Sequence, residues 1–87
     1  MYRLSENIRS THGPDGGVVL NLVTGEMLRL NQTGSLIFAG LRQGEPETQI
    51  VQEIVSEFSI SEDLAYSDFH EFMETLRTLE LLQPSES

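Results

Sequence analysis

Between Val18 and Phe38 the chain reads VVLNLVTGEMLRLNQTGSLIF: two short apolar-rich runs around Val23-Thr24-Gly25, then an asparagine that opens a helical pattern. The runs Val18 to Leu22 and Glu26 to Leu30 have strand length. Glycine at position 25 supplies the positive φ that a short reversal needs, so the pair reads as a hairpin. Side chains alternate along a strand, so Glu26, Leu28 and Leu30 share one face and Met27 and Arg29 the other. Leu28 and Leu30 are expected to point inward. Upstream, residues 2 to 10 (YRLSENIRS) alternate imperfectly and predict an edge strand, and Gly13-Pro14-Asp15-Gly16-Gly17 predicts a reversal.

After Leu30 the period changes from two to 3.6. Asn31 or Thr33 is placed to cap a first helix whose apolar residues Leu36, Ile37, Phe38 and Leu41 end near Gly44. Pro46 suits the first position of a second helix, where Ile50, Val51, Ile54, Val55 and Phe58 recur at helical spacing. Ser61 is the expected cap of a third, with Glu62 and Asp63 in its first turn; a capping box from Ser59 to Glu62 is the competing start. Along this helix Ala65, Phe69, Phe72, Leu76 and Leu79 form one stripe, flanked by Tyr66, Met73, His70 and Arg77. The order is βββααα, an α+β fold in which a three-stranded antiparallel sheet is followed by three helices, with the outline of a winged helix-turn-helix.

A chain of 87 residues supports one domain, here expected over residues 1–82 with a loose tail over 83–87. At this size only roughly 60–65% of the unfolded surface is buried, which leaves little room for an enclosed active site. Cysteine is absent, which excludes disulfides, thiolate metal sites and thiol nucleophiles and fits a reducing compartment. No apolar run approaches the ~20 residues that span a bilayer, and MYRLSENIRS lacks the plan of a signal peptide. A cytoplasmic protein without a membrane partner is expected.

Charge narrows the partners. There are fourteen carboxylates against five arginines and no lysine. Residues 1–44 hold Glu6, Asp15 and Glu26 against Arg3, Arg9, Arg29 and Arg42, a net of +1; residues 45–87 hold eleven carboxylates against Arg77, a net of −10. The last helical segment alone carries Glu62, Asp63, Asp68, Glu71, Glu74 and Glu80. A winged-helix DNA reader needs a basic recognition helix, so nucleic acid is excluded as a partner. The acidic half reads as a solvated surface that aids solubility, or as a field that steers a basic peptide. What the fold does offer is a sheet edge, whose unpaired N–H and C=O groups accept an extended peptide as an added strand.

An ordered set of residues then carries a family resemblance: Gly25 in the hairpin, Leu30-Asn31 at its end, Thr33-Gly34 at the first helix, Asp68 followed by Phe69, Phe72, Met73 and Leu76, and a closing Leu81-Leu82. Over about residues 16 to 82 the chain resembles the PqqD-like family, the RiPP recognition elements. It departs at Glu80, where that family usually has glycine. The resemblance implies a non-catalytic module without cofactors that binds the leader segment of a ribosomally made precursor peptide and brings it to modifying enzymes. The TGEMLRLN hairpin and Gly34 look like the small adaptors of lasso-peptide clusters, which implies a separate leader peptidase as a second partner. It also implies where the peptide lies: antiparallel to the third strand, in a groove shared with the third helix. Carried over by position, the peptide-binding residues are Glu26, Met27, Leu28, Arg29 and Leu30 with Tyr66, Phe69, Phe72, Met73 and Leu76. For Phe69, Phe72 and Leu76 a place in the core competes with that role, because aromatics and leucines at helical spacing are core residues first.

Other chemistry finds little support. His70 and Glu74 stand one turn apart as metal ligands do, but the second histidine, His12, is far off in a turn. The glycines at 13–17 lack the Lys-Ser/Thr of a phosphate loop, and no Ser, His and Asp spacing suggests a nucleophile with its base. The alternative function is a non-catalytic protein-interaction or dimerisation module using the same sheet edge.

Overall fold

The alternation around Thr24-Gly25 becomes a hairpin in the computed structural model, which describes residues 3–13 and 16–83. Strands β1 (Ile8–Gly13), β2 (Gly16–Asn21) and β3 (Met27–Leu30) form one antiparallel sheet in the order β1-β2-β3. Leu28 lies opposite Val19 and Leu30 opposite Gly17. Val19 and Leu30 are buried and Leu28 packs half-buried against the core, whereas Met27 is 64% exposed on the opposite face. The inward direction expected for Leu28 and Leu30 holds.

The first strand is displaced from the range expected. It spans Ile8–Gly13 and not residues 2 to 10, because β1 and β2 stay paired through Gly13 opposite Gly16, up to the reversal itself. The glycines predicted to form a turn therefore extend the ladder; Pro14 and Asp15, between them, lie outside the described residues. Gly16 has φ +133°, and a Cβ there would lie 2.0 Å from the Leu30 carbonyl oxygen, so no other residue fits this approach to β3. The segment before β1 has a separate partner. Leu4 bridges Leu82, the Ser5 N–H donates to Leu81 O (2.8 Å), and the Gln83 N–H donates to Arg3 O (2.8 Å). Residues 84–87 of the expected tail, and Tyr2, lie outside the described residues.

The helices are α1 (Gln32–Arg42), α2 (Glu47–Phe58) and α3 (Glu62–Thr78). Asn31 caps α1, its side chain accepting the Gly34 N–H at 2.8 Å. Pro46 stands one position earlier than expected, at the N-cap of α2, where its φ of −71° with an extended ψ leads into the helix. Ser61 caps α3 by accepting the Leu64 N–H. Ser59 closes α2 in the left-handed region (φ 54°), which excludes the competing capping box. Arg42, at the end of α1, donates to Ser10 Oγ on β1 (2.7 Å). Ile37, Phe38, Ile50, Val51, Ile54, Ala65, Phe69, Met73, Leu76 and Leu81 pack with Val19 and Leu30 into one core. No helix among the described residues is long and apolar enough to cross a membrane.

The stripe on α3 differs from the expectation at Phe72 and at Leu79, which is the half-buried C-cap residue. Its buried positions are Ala65, Phe69, Met73 and Leu76, while Phe72 is only half-buried. The unbranched Met73 fills the core, and the Phe72 ring turns toward Gly34 of α1, which has no side chain to block it.

α3 ends in a Schellman motif: the Leu81 N–H bonds Leu76 O (2.8 Å) and the Glu80 N–H bonds Arg77 O (3.1 Å). The motif needs a left-handed residue at position 80, and Glu80 holds φ 57° there. This is the position at which the sequence departs from its family pattern. Glu80→Gly is therefore expected to stabilise the protein by about 1 kcal/mol, since it removes the Cβ strain while the helix is already ended. A higher urea midpoint at unchanged slope is the expected reading, and a lower midpoint would sink the idea. A second prediction concerns pH. Burial of one carboxyl oxygen against Gly40, and then repulsion from Glu53, raise Glu45 above its ordinary value of 4.5. The folded state thus favours protonated Glu45. Its contribution to stability is present below pH 4.5 and is lost as pH rises through the raised value. Glu45→Gln is expected to be more stable than wild type at neutral pH, with the difference shrinking as pH falls toward 4.5, in urea melts across that range.

Candidate functional site

Two edges close the sheet, and that of β3 borders a groove. In an antiparallel pair, successive residues point their N–H and C=O alternately toward and away from the partner. The Asn21 N–H donates to Glu26 O (2.8 Å), which with the register assigns Glu26, Leu28 and Leu30 to the β2 side. The N–H and C=O groups of Met27 and Arg29 consequently face the open edge. Their side chains lie on the exposed face of the sheet.

Beside this edge is a groove of about 290 Å³. β3 contributes Leu28 and Arg29, and the start of α1 contributes Asn31, Thr33, Gly34 and Ile37. The far wall is one face of α3: Asp68, Glu71, Phe72 and Thr75, spaced i, i+3, i+4 and i+7. Apolar groups (Leu28, Ile37, the Phe72 ring) are thus combined with Asp68 and Glu71 on the helix wall and with Arg29 on the strand. No ion pair engages Arg29, Asp68 or Glu71 among the described residues.

A single buried polar side chain holds the strand and helix walls together. Asn21, 2% exposed, closes β2. Its Nδ2 donates to Leu79 O (3.0 Å) and Glu80 O (3.2 Å) at the end of α3, and its Oδ1 accepts the N–H groups of Val23 (2.9 Å) and Thr24 (3.1 Å) in the turn before β3. Both walls are referred to one amide.

Of the residues carried over from the family, Leu28, Arg29 and Phe72 border the groove and Met27 borders the open edge. Leu30, Phe69, Met73 and Leu76 lie in the core at 5%, 0%, 4% and 0% exposure, which corrects the view of Met73 as a marginal residue. Glu26 is exposed in the turn. Tyr66 stands two residues before Asp68, about 200° around α3, beside His70 at a ring distance of 6.0 Å. His70 in turn lies 3.2 Å from Glu47 of α2, and Glu74 pairs with Arg77, so the two do not converge on one point. The α1 contribution and Asn21 were not anticipated. Asparagine directly before a turn is a recognisable signal for Asn21, and the i, i+3, i+4, i+7 set Asp68, Glu71, Phe72, Thr75 is one for the wall.

The family model for coenzyme PQQ synthesis protein D (PqqD) matches residues 16–82. Among solved structures, TbiB1 in complex with the TbiA(beta) leader peptide is similar at a TM-score of 0.87 and 30% identity, over 98% of this chain and 99% of that one. Lasso peptide synthetase B1 complexed with the leader peptide is similar at 0.85 and 26%, over 95% and 98%. No curated protein matches. The three antiparallel strands and three helices are those of both structures.

The clamp can be tested without creating a cavity. Asn21→Asp keeps the shape and the acceptor oxygen but loses both donors and brings a carboxylate against two carbonyls. A loss of at least about 2 kcal/mol is expected at neutral pH, partly recovered on acidification as the buried acid protonates. A urea midpoint close to wild type would show that the amide does not fix the walls.

Proposed function

This chain belongs to the PqqD family, and we propose on that premise that it binds the leader segment of a ribosomally synthesised precursor peptide as a fourth strand, antiparallel to β3, with leader side chains in the groove against α3. One observation carries the reading: the open Met27 and Arg29 backbone lies directly beside a built groove, in a fold whose solved counterparts were captured with leader peptides. Main-chain pairing supplies register and the groove supplies selection. Residues 1–82 act as one module, in the cytoplasm, where precursor peptides are made. The chain performs no chemistry of its own; it presents the bound peptide to a separate enzyme, for which a leader peptidase of a lasso-peptide pathway is our candidate. The same open edge, with Met27 64% exposed, supports a second reading as a self-pairing or protein-interaction module.

A fluorescent synthetic copy of the leader of a precursor encoded beside this gene, titrated by anisotropy, separates the two. Saturable binding at micromolar or lower concentration is expected; none by the folded protein, with concentration-dependent protection of residues 26–30 from amide exchange, would favour self-pairing. The backbone role has its own signature. Met27→Pro and Arg29→Pro remove outward N–H groups and are expected to weaken binding at least tenfold relative to Met27→Ala and Arg29→Ala, with the fold retained. Leu28→Pro, whose N–H faces β2, is expected to break the sheet. Equal affinity of the proline and alanine variants would rule out strand addition.

A further inference from the structure

Gly34 occupies the third position of α1, is buried, and lines the groove. Its backbone is helical, and alanine is the better helix former at such a site. Its neighbours explain the glycine. A Cβ built there would lie 3.0 Å from Phe72 Cε1, 3.5 Å from Phe72 Cδ1 and 3.2 Å from the Asn31 oxygen that caps the helix. Carbon atoms in good contact sit ~3.5–4.0 Å apart, so a methyl group would push the ring back by a few tenths of an ångström. The helix backbone is anchored by the Asn31 cap at 2.8 Å, and the half-buried ring is the part free to move.

Resting on the leader-binding reading, we propose that Gly34 is the specificity-determining residue of the groove. By letting the Phe72 ring seat against bare α1 backbone, it leaves a slot for a bulky apolar side chain, leucine-sized or aromatic, of the bound peptide. Leu28 and the Phe72 ring border the slot over the fully buried Ile37, and Arg29, Asn31, Thr33, Asp68, Glu71 and Thr75 line the groove around them, so an entering side chain meets an apolar patch within a polar surround. A methyl at position 34 and a shifted ring would narrow the groove directly. Gly34 touches the peptide only through this absence. Phe72 is the contact surface and Gly34 sets its position.

The test uses a displayed library of random 20-residue peptides selected on the whole protein, on Gly34→Ala, on Phe72→Leu and on the double variant, each first checked for folding by circular dichroism. Wild type is expected to enrich peptides with leucine, methionine or an aromatic at one fixed position. Gly34→Ala is expected to shift that position to alanine, valine or threonine. Phe72→Leu is expected to shift it toward larger side chains, and the double variant to return to the wild-type preference. For the best wild-type peptide, replacing that residue by alanine should cost at least tenfold in affinity on wild type and less than threefold on Gly34→Ala. The same size preference in all four proteins would overturn the role of Gly34 while leaving leader binding intact. Absence of any enrichment by folded wild type would overturn the leader-binding reading and this inference with it. Should Gly34→Ala not fold, Phe72→Leu decides: an unchanged size preference there refutes the proposal.

Discussion

The architecture depends on one buried amide. Asn21 is buried at the end of β2 with both amide hydrogens donated to carbonyls at the end of α3 and its oxygen accepting two N–H groups from the β2–β3 turn. An unpaired buried polar group costs about 1–3 kcal/mol, so any shift of α3 relative to the hairpin breaks bonds that water cannot replace there. Apolar packing of Phe69, Met73 and Leu76 is tolerant of small slides; four directional hydrogen bonds on one side chain are not. The end of the strand and the end of the helix are therefore tied together, and the groove between them has a defined width before any peptide arrives.

Charge is arranged around that groove in a way the net value of −9 conceals. Asp68 and Glu71 stand on its helix wall and Arg29 on its strand side. The remaining carboxylates of α2 and α3 spread over the helical layer, which gives the field that disfavours phosphate and favours a cationic segment approaching along α3. A solvated surface and a steering field are not exclusive: carboxylates far from the groove act through solubility, and the two on its wall act on whatever lies within a Debye length of them.

Much of the fold was legible because local signals agreed with one another. The hairpin, the Asn31 and Ser61 caps and the three helical stripes each had both a period and a punctuating residue. The misreadings arose where long-range contacts decided the outcome. Leu4 pairs with Leu82, at the far end of the chain, so the segment before β1 could not be read from its own alternation. Met73 and Phe72 are adjacent and both apolar, and a helical wheel assigns the aromatic to the core; the bare backbone of Gly34, on another helix, reverses that choice. Glu80 looked like a weakness in the family pattern and turns out to adopt the left-handed conformation that the pattern demands, with strain in place of a different turn. The strand side of the site was legible for the same reason as the hairpin. The α1 side was not, because a cap and a missing side chain, which carry no mark of a groove in the sequence, stand there beside Thr33 and Ile37.

The shortness of β3 constrains how recognition can work. Four residues present only two outward-facing backbone units, those of Met27 and Arg29, hence at most four ladder hydrogen bonds to an added strand. At a net of about 1 kcal/mol each these give roughly 4 kcal/mol, while micromolar affinity requires about 8 kcal/mol after the cost of immobilising a flexible peptide has been met. Strand pairing of the proposed kind thus could not hold a leader alone; it would fix direction and register. The remainder has to come from leader side chains in the groove, through apolar contact with Leu28 and the Phe72 ring and through pairing with the polar groups beside them, Asp68 and Glu71 among them. That contribution depends on walls that do not collapse when empty, which a small sheet and three helices achieve by directing a buried asparagine, and not more hydrophobic surface, to the point where strand and helix must stay apart.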